Sequence, residues 1–219
     1  MNAVITADIV DYSGLSTEGE DRVINTIHET FGDSRDIRTN ADSNFLITRG
    51  DTIQMELDKP EKALKTALLL KSAINKTALN KGNKTKPDID VRIAIGIGEI
   101  SGKRKHVNES TGEAYTFSGR TLDSMKKQKR TLAIKTNSTT LNSEFETEFQ
   151  LLEIILSGWT IYSAEVIYWT LLGFNEREIS EKLKKSQSAI NQRKKTAGWN
   201  GIEPLLKRFE ELMKKEITG

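Results

Sequence analysis

Residues Ala3 to Ser16 read AVITADIVDYSGLS: an apolar, β-branched run that ends at a carboxylate, Asp8, and passes through small and polar residues. Residues 3–10 are rich in Val and Ile and too short for a stable helix, which predicts a buried strand. Behind a Ser16 or Thr17 cap, Val23, Ile24, Ile27 and Phe31 recur at helical spacing. The chain therefore opens as strand then helix, with a carboxylate at the junction that needs a reason.

Further along, NFLIT (Asn44 to Thr48) and TIQMEL (Thr52 to Leu57) flank RGD, which predicts a hairpin with Gly50 at its bend. Pro60 stands where a helix's first turn tolerates it, ahead of a stripe of Ala63, Leu64, Ala67, Leu68 and Ile74. VRIAIGIGEI (Val91 to Ile100) is the most strand-like segment, and SGKRKHVNESTGE after it reads as a polar excursion. AYTFSGRTLDSMKKQ predicts a helix and TLAIKT a strand. This order predicts an α+β fold, a ferredoxin-like (cyclase- or palm-type) antiparallel sheet with helices on one face.

From about Asn142 helical periodicity takes over. We expect a sheet domain over 1–141, a bridging helix over 142–159 and a small all-α domain over 160–219, with breaks at Gly173 and at Gly198 to Gly201. The absence of cysteine from the 219 residues excludes disulfides, thiolate zinc sites and cysteine nucleophiles. His28 and His106 stand far apart and give little support to a histidine metal site or a Ser-His-Asp triad. With no leader-like N-terminus and no run of eighteen apolar residues, a cytoplasmic protein without a membrane partner is expected.

A strand-end carboxylate is costly to bury unless paired or metal-bound, and a helix cap or ion pair is its plain reading. Asp51 changes the balance, because the hairpin brings it onto a neighbouring strand. Two such carboxylates can converge on Mg²⁺ or Mn²⁺. Ile9, Val10, Asp11, Tyr12 and Ser13 could then offer backbone N–H groups to a nucleoside triphosphate, the arrangement of phosphoryl transfer.

ADIVDYSGLS resembles the first metal motif of class III nucleotidyl cyclases, RGD resembles their second metal-Asp hairpin, and GEAYTFSGRTLDSMK is similar to their later helix. The resemblance to SatD-type proteins, bacterial and cyclase-like in fold, is closer still and covers residues 1 to about 137. It implies Asp8 and Asp51 as metal ligands, Arg120 as the transition-state arginine and Glu109 as a base-contacting acid. Thr116 stands where the cyclases carry Asn, and Ile47 where adenylyl cyclases carry a base-selecting Lys. In that family the sites lie at a dimer interface.

In the C-terminal part, NEREISEKLKKSQSAINQRKKTAGW predicts two short helices joined by a tight turn around Lys184 to Ser186, behind an Asn175 cap. The stretch Lys184 to Gly198 holds five basic residues and no acidic one. Its second helix carries Gln187, Ser188, Asn191, Gln192, Arg193, Lys194 and Lys195, types that read base edges or grip phosphate. It resembles the helix-turn-helix of bacterial regulators, with Lys184 near the place of the usual turn glycine. The sequence points first to a DNA-binding transcriptional regulator with a Mg-nucleotide domain, acting on double-stranded DNA as a homodimer through FQLLEIIL or the final helix. An active two-metal cyclase or oligonucleotide synthase, and an inactive dimerisation scaffold, are the alternatives.

Overall fold

A computed structural model describes residues 1–32, 43–48, 51–77, 85–102 and 110–218. Strand β1 (Asn2–Val10) runs into a 3-10 turn at Tyr12–Gly14 and helix α1 (Thr17–Phe31). Ser16 caps that helix, its hydroxyl accepting from the Gly19 N–H at 3.2 Å. Strands β2 (Ser43–Thr48) and β3 (Thr52–Leu57) form the hairpin, Thr48 facing Thr52 in register. Arg49 and Gly50 lie outside the described residues. A 3-10 turn at Pro60–Lys62 leads into α2 (Ala63–Asn75), and β4 (Asp90–Gly98) follows.

After β4 a two-stranded ribbon forms from β5 (Ile100–Gly102) and β6 (Thr111–Gly112), leading to α3 (Glu113–Gln128) and β7 (Leu132–Lys135). The five-stranded sheet has the order β2-β3-β1-β4-β7. It is mixed, which corrects the expectation of an antiparallel sheet. β1 runs antiparallel to β3 and β4, whereas β7 is parallel to β4. A parallel neighbour needs a crossover, and α3 supplies it.

That crossover also corrects the placement of the helices on one face. Successive residues of a strand point to opposite faces. Ala3, Ile5, Ala7 and Ile9 join Val23, Ile27, Leu64 and Leu68 of α1 and α2 in one core, while Thr6 on the other face donates its hydroxyl to Ser118 of α3 at 2.9 Å. α3 approaches this second face closely. A Cβ on Gly96 would stand 2.1 Å from the Ala114 carbonyl oxygen. Glycine is what lets the helix sit there.

The rest is helical: α4 (Thr139–Ser157), α5 (Ile161–Leu171), α6 (Glu176–Leu183), α7 (Gln187–Thr196) and α8 (Trp199–Thr218). α8 begins at Trp199 and carries Gly201 and Pro204 within it, so the break falls at Gly198, whose φ is +75°, and ends there. The Glu153 carboxylate on α4 accepts from the Leu132 N–H at 2.9 Å and tethers α4 to the edge strand β7. Phe145, Phe149, Ile167, Phe209 and Met213 belong to the same contiguous core as the sheet and α1–α2. Among the described residues no helix is long and apolar enough to cross a membrane.

Candidate functional site

The register of β1 places Asp8 opposite Thr52 of β3 and Arg92 of β4. Asp51 therefore falls beside the end of β1, and its carbonyl accepts the Ile9 N–H at 2.9 Å. Asp8, Ile9, Val10, Asp11, Tyr12, Ser13, Asp51 and Arg92 line one open cleft of about 490 Å³. The residues that sequence brought together around the strand end are thus neighbours in space.

The cleft holds cations of its own. Both oxygens of the Asp8 carboxylate accept from Arg92 Nη1, at 3.0 and 3.2 Å, and Lys126 Nζ of α3 lies 2.9 Å from Oδ2. Arg92 also donates through Nε to the Arg130 carbonyl at 3.1 Å, which fixes its guanidinium. Asp8 and Arg92 are mostly buried, whereas the Lys126 side chain is 51% exposed. The Ile9 N–H, expected to face a phosphate, is instead engaged by Asp51. Asp11 adopts a left-handed conformation, φ 56° and ψ 29°, that turns the chain from strand to 3-10 turn.

Among the described residues no three His, Cys, Asp or Glu groups stand together as a metal cage. Asp8, ion-paired to Arg92 and Lys126, and Asp51 are two carboxylates that share the cleft with Asp11.

Arg120 is set elsewhere. Ser118, Leu122 and Met125 turn toward the sheet, so Thr116 and Arg120 fall on the outer, exposed side of α3. Arg120 lines a second groove of about 400 Å³ between α3, β7 and α4, with Thr121, Ser124, Lys135 and Glu146. One chain does not bring Arg120 to Asp8 and Asp51. Glu109 lies outside the described residues.

In the helical part, Asn175 and Glu178 close a capping box at the start of α6. Lys184 ends that helix with φ 51° and ψ 46°, the left-handed conformation usually left to glycine. Ser186 then caps α7 by accepting from the Ala189 N–H at 3.2 Å. Val166 of α5, Ile179 of α6 and Ile190 of α7 form a buried cluster, with Trp169, Phe174 and Leu183 packed around it. α6 and α7 are therefore held at a fixed angle on α5.

The phase of α7 sorts its polar residues. Ile190 and Ala197 are buried, and Arg193 and Lys194 share their face by i, i+3 and i+4 spacing. Arg193 lies over the Tyr162 ring, 4.8 Å from its centroid, with Nη1 3.8 Å from Glu165 Oε2. Lys194 Nζ donates to Glu176 Oε1 at 3.1 Å, and Asn191 Nδ2 reaches the same oxygen at 3.4 Å. Gln187, Ser188, Gln192 and Lys195 face outward, joined by the exposed Lys184 and Lys185, which the sequence reading placed in the turn and not among the DNA-binding residues. The chain matches no protein-family profile and no curated protein.

Proposed function

We propose that this chain is a DNA-binding regulator that lays α7 in the major groove of double-stranded DNA. The observation that carries the reading is the outward face of the turn and α7: the amides Gln187 and Gln192, the Ser188 hydroxyl and the lysines Lys184, Lys185 and Lys195, without a carboxylate, on a helix pair fixed by its own small core. Amides and hydroxyls read base edges, lysines neutralise phosphate, and a rigid helix pair sets the angle of entry. Arg193 and Lys194 serve this reading indirectly, docking α7 onto α5 and α6.

Lys184, Lys185 and Lys195 give about three phosphate contacts per chain. Log affinity for a mixed-sequence duplex should then fall with log salt at a slope of about −3. Lys185→Ala should make that slope shallower by about one, and Gln192→Ala should weaken a selected sequence more than the mixed one. Fluorescence anisotropy across a salt series reads both. A chain that fails to bind duplex at low salt, or a slope that Lys185→Ala leaves alone, overturns the proposal.

A second reading concerns the cleft at the end of β1. The strand order β2-β3-β1-β4, with β7 added, supports a ferredoxin-like, cyclase-type architecture, and Asp8 and Asp51 at one cleft favour a Mg²⁺–nucleoside triphosphate there. Lys126 would exchange Asp8 for a phosphate, leaving the carboxylate to the cation. Calorimetric titration with each triphosphate and Mg²⁺ tests it, Asp51→Asn abolishing the heat. Mass spectrometry of the same mixtures separates binding from cyclisation: Arg120 lies outside this cleft, so intact triphosphate is the expected result for a single chain.

A further inference from the structure

Leu151 and Ile154, at 60% and 70% exposed, are the most open large apolar side chains among the described residues, and they stand three residues apart on α4. Ser143, Thr147, Gln150, Ser157 and Gly158 surround them, all exposed and uncharged. Three of the helix's four acids are drawn aside, Glu144 accepting from Arg208 and Glu146 and Glu153 from Arg130, and the fourth, Glu148, is half-buried on the flank of the face. The opposite face, through Phe145, Phe149, Leu152 and Leu156, is already in the core. An outward helix face is ordinarily where charge goes. This one is apolar and neutral.

We infer that this face receives a second copy of the chain, α4 against α4 across a two-fold axis. Identifying the partner as a second copy rests on the DNA-binding reading. In an isologous contact each residue meets its own neighbourhood, so a face without charge meets itself without repulsion and offers a charged partner nothing. α4 is also joined closely to the DNA-reading unit. Gly158 to Thr160 lead directly into α5, and Ile155 packs against Gly198 between α7 and α8 so tightly that a Cβ there would stand 2.5 Å from Cγ2. Pairing at α4 thus fixes two copies of α7 about the same axis, the arrangement that two half-sites require.

The size of the face sets the strength. The 19 residues of α4 span about 28 Å, and one helix face of that length covers less than the ~1,200 Å² of a standard interface. The dimer is therefore weak and concentration-dependent. The end of α8 is the poorer surface, since its exposed Ile217 stands close to Lys214, Lys215 and Glu216, charges that would meet their own kind.

The absence of cysteine from the sequence makes the test clean. Ile154→Cys, mild oxidation and denaturing electrophoresis should give a covalent dimer, and Ile217→Cys should stay monomeric. Sedimentation equilibrium at high micromolar concentration should find the parent chain dimeric and Ile154→Glu monomeric, with the thermal midpoint unchanged because the site is exposed. A parent chain that is monomeric throughout, a dimer that survives Ile154→Glu, or cross-linking at position 217 instead of 154 overturns the inference. A cross-linked Ile154→Cys dimer that binds no duplex defeats the DNA reading while leaving this contact standing, and a monomeric parent that binds duplex overturns the contact alone.

Discussion

The two faces of the sheet are built on different principles. On the α1–α2 face, Ile5, Ile27, Leu68 and Ile95 belong to a core that continues without interruption into α4, α5 and α8. Its fully buried charge is Lys71, 2.6 Å from Asp90 Oδ1. On the α3 face the apolar cluster is small, Ala94, Leu122, Met125 and Ala133. The remainder is polar: Thr6 with Ser118, Asp8 with Arg92 and Lys126, Glu56 with Tyr115. Apolar burial is non-directional and sets stability, whereas buried polar pairs must be satisfied one by one and set position. The cleft of Asp8 and Asp51 opens at the end of the strand where the two regimes meet.

The largest expected effect tests the continuity of the apolar side. Phe209 of α8 is fully buried, its ring centroid 5.1 Å from that of Phe145. Phe209→Ala should cost about 3–5 kcal/mol. Because this core is shared with the sheet, circular dichroism and tryptophan fluorescence should lose the whole chain in one denaturant transition. A helical part that melts alone, ahead of the sheet, breaks the comparison.

The polar face should be sensitive to loss of a single hydroxyl. Tyr115 donates to Glu56 Oε1, and Glu56 Oε2 has no partner among the described residues. Tyr115→Phe leaves a buried carboxyl wholly unpaired at an expected cost of about 1–3 kcal/mol. Burial first, then the bond to Glu56, raises the Tyr115 pKa above its ordinary 10.0. The folded state keeps this proton longer than the unfolded state, so the contribution is complete below pH 10.0 and is lost as the pH rises toward the folded pKa. Urea denaturation should show the gap between parent and variant narrowing in alkali.

A polar group on the otherwise apolar side should do the reverse. Burial, then the neighbouring Glu144, raises the Glu148 pKa above 4.5 against the pull of Arg208, and Oε2 of Glu148 lacks a partner among the described residues. A raised carboxyl favours folding when protonated and opposes it as the pH climbs through the folded pKa. Glu148→Gln should therefore raise the thermal midpoint at neutral pH and lose that advantage below pH 4.5. The group is partly solvated, so the gain stays under about 1 kcal/mol.

This contrast explains what could be read from the sequence. β1, α1 and α2 were legible because Val23, Ile27, Phe31 and the α2 stripe repeat with the period of the element they form. Periodicity does not say which face of a sheet a helix covers, so α3 was placed on the wrong side and β7 in the wrong sense. β5 and β6 are too short to carry a period. Asp8 and Asp51 could be paired because a hairpin fixes register, but Arg92 reaches Asp8 through the β1–β4 pairing, between strands about eighty residues apart. The inward turn of Arg193 and Lys194 was within reach: Ile190 and Ala197 already marked the buried side of α7.

The smallest expected effect carries the comparison into the α6–turn–α7 unit, where position and stability pull against each other under the proposed function. Lys184 holds φ 51° at the end of α6, a conformation that costs a side-chain-bearing residue about 1 kcal/mol and glycine far less. Lys184→Gly should raise stability by at most about 0.5 kcal/mol, after the greater entropy of glycine in the unfolded chain is set against the relief. The same change removes one of the three outward lysines, so affinity for a mixed-sequence duplex should fall and the salt slope should flatten by about one. Lys184→Asn separates the two effects, because asparagine tolerates the left-handed region but carries no charge. If both variants are more stable and both bind duplex less tightly, the turn holds a cation where glycine would serve the fold better, and its position serves the DNA. Variants that gain stability with unchanged duplex affinity would return Lys184 to a role in the fold alone and shift the phosphate contacts to Lys185 and Lys195.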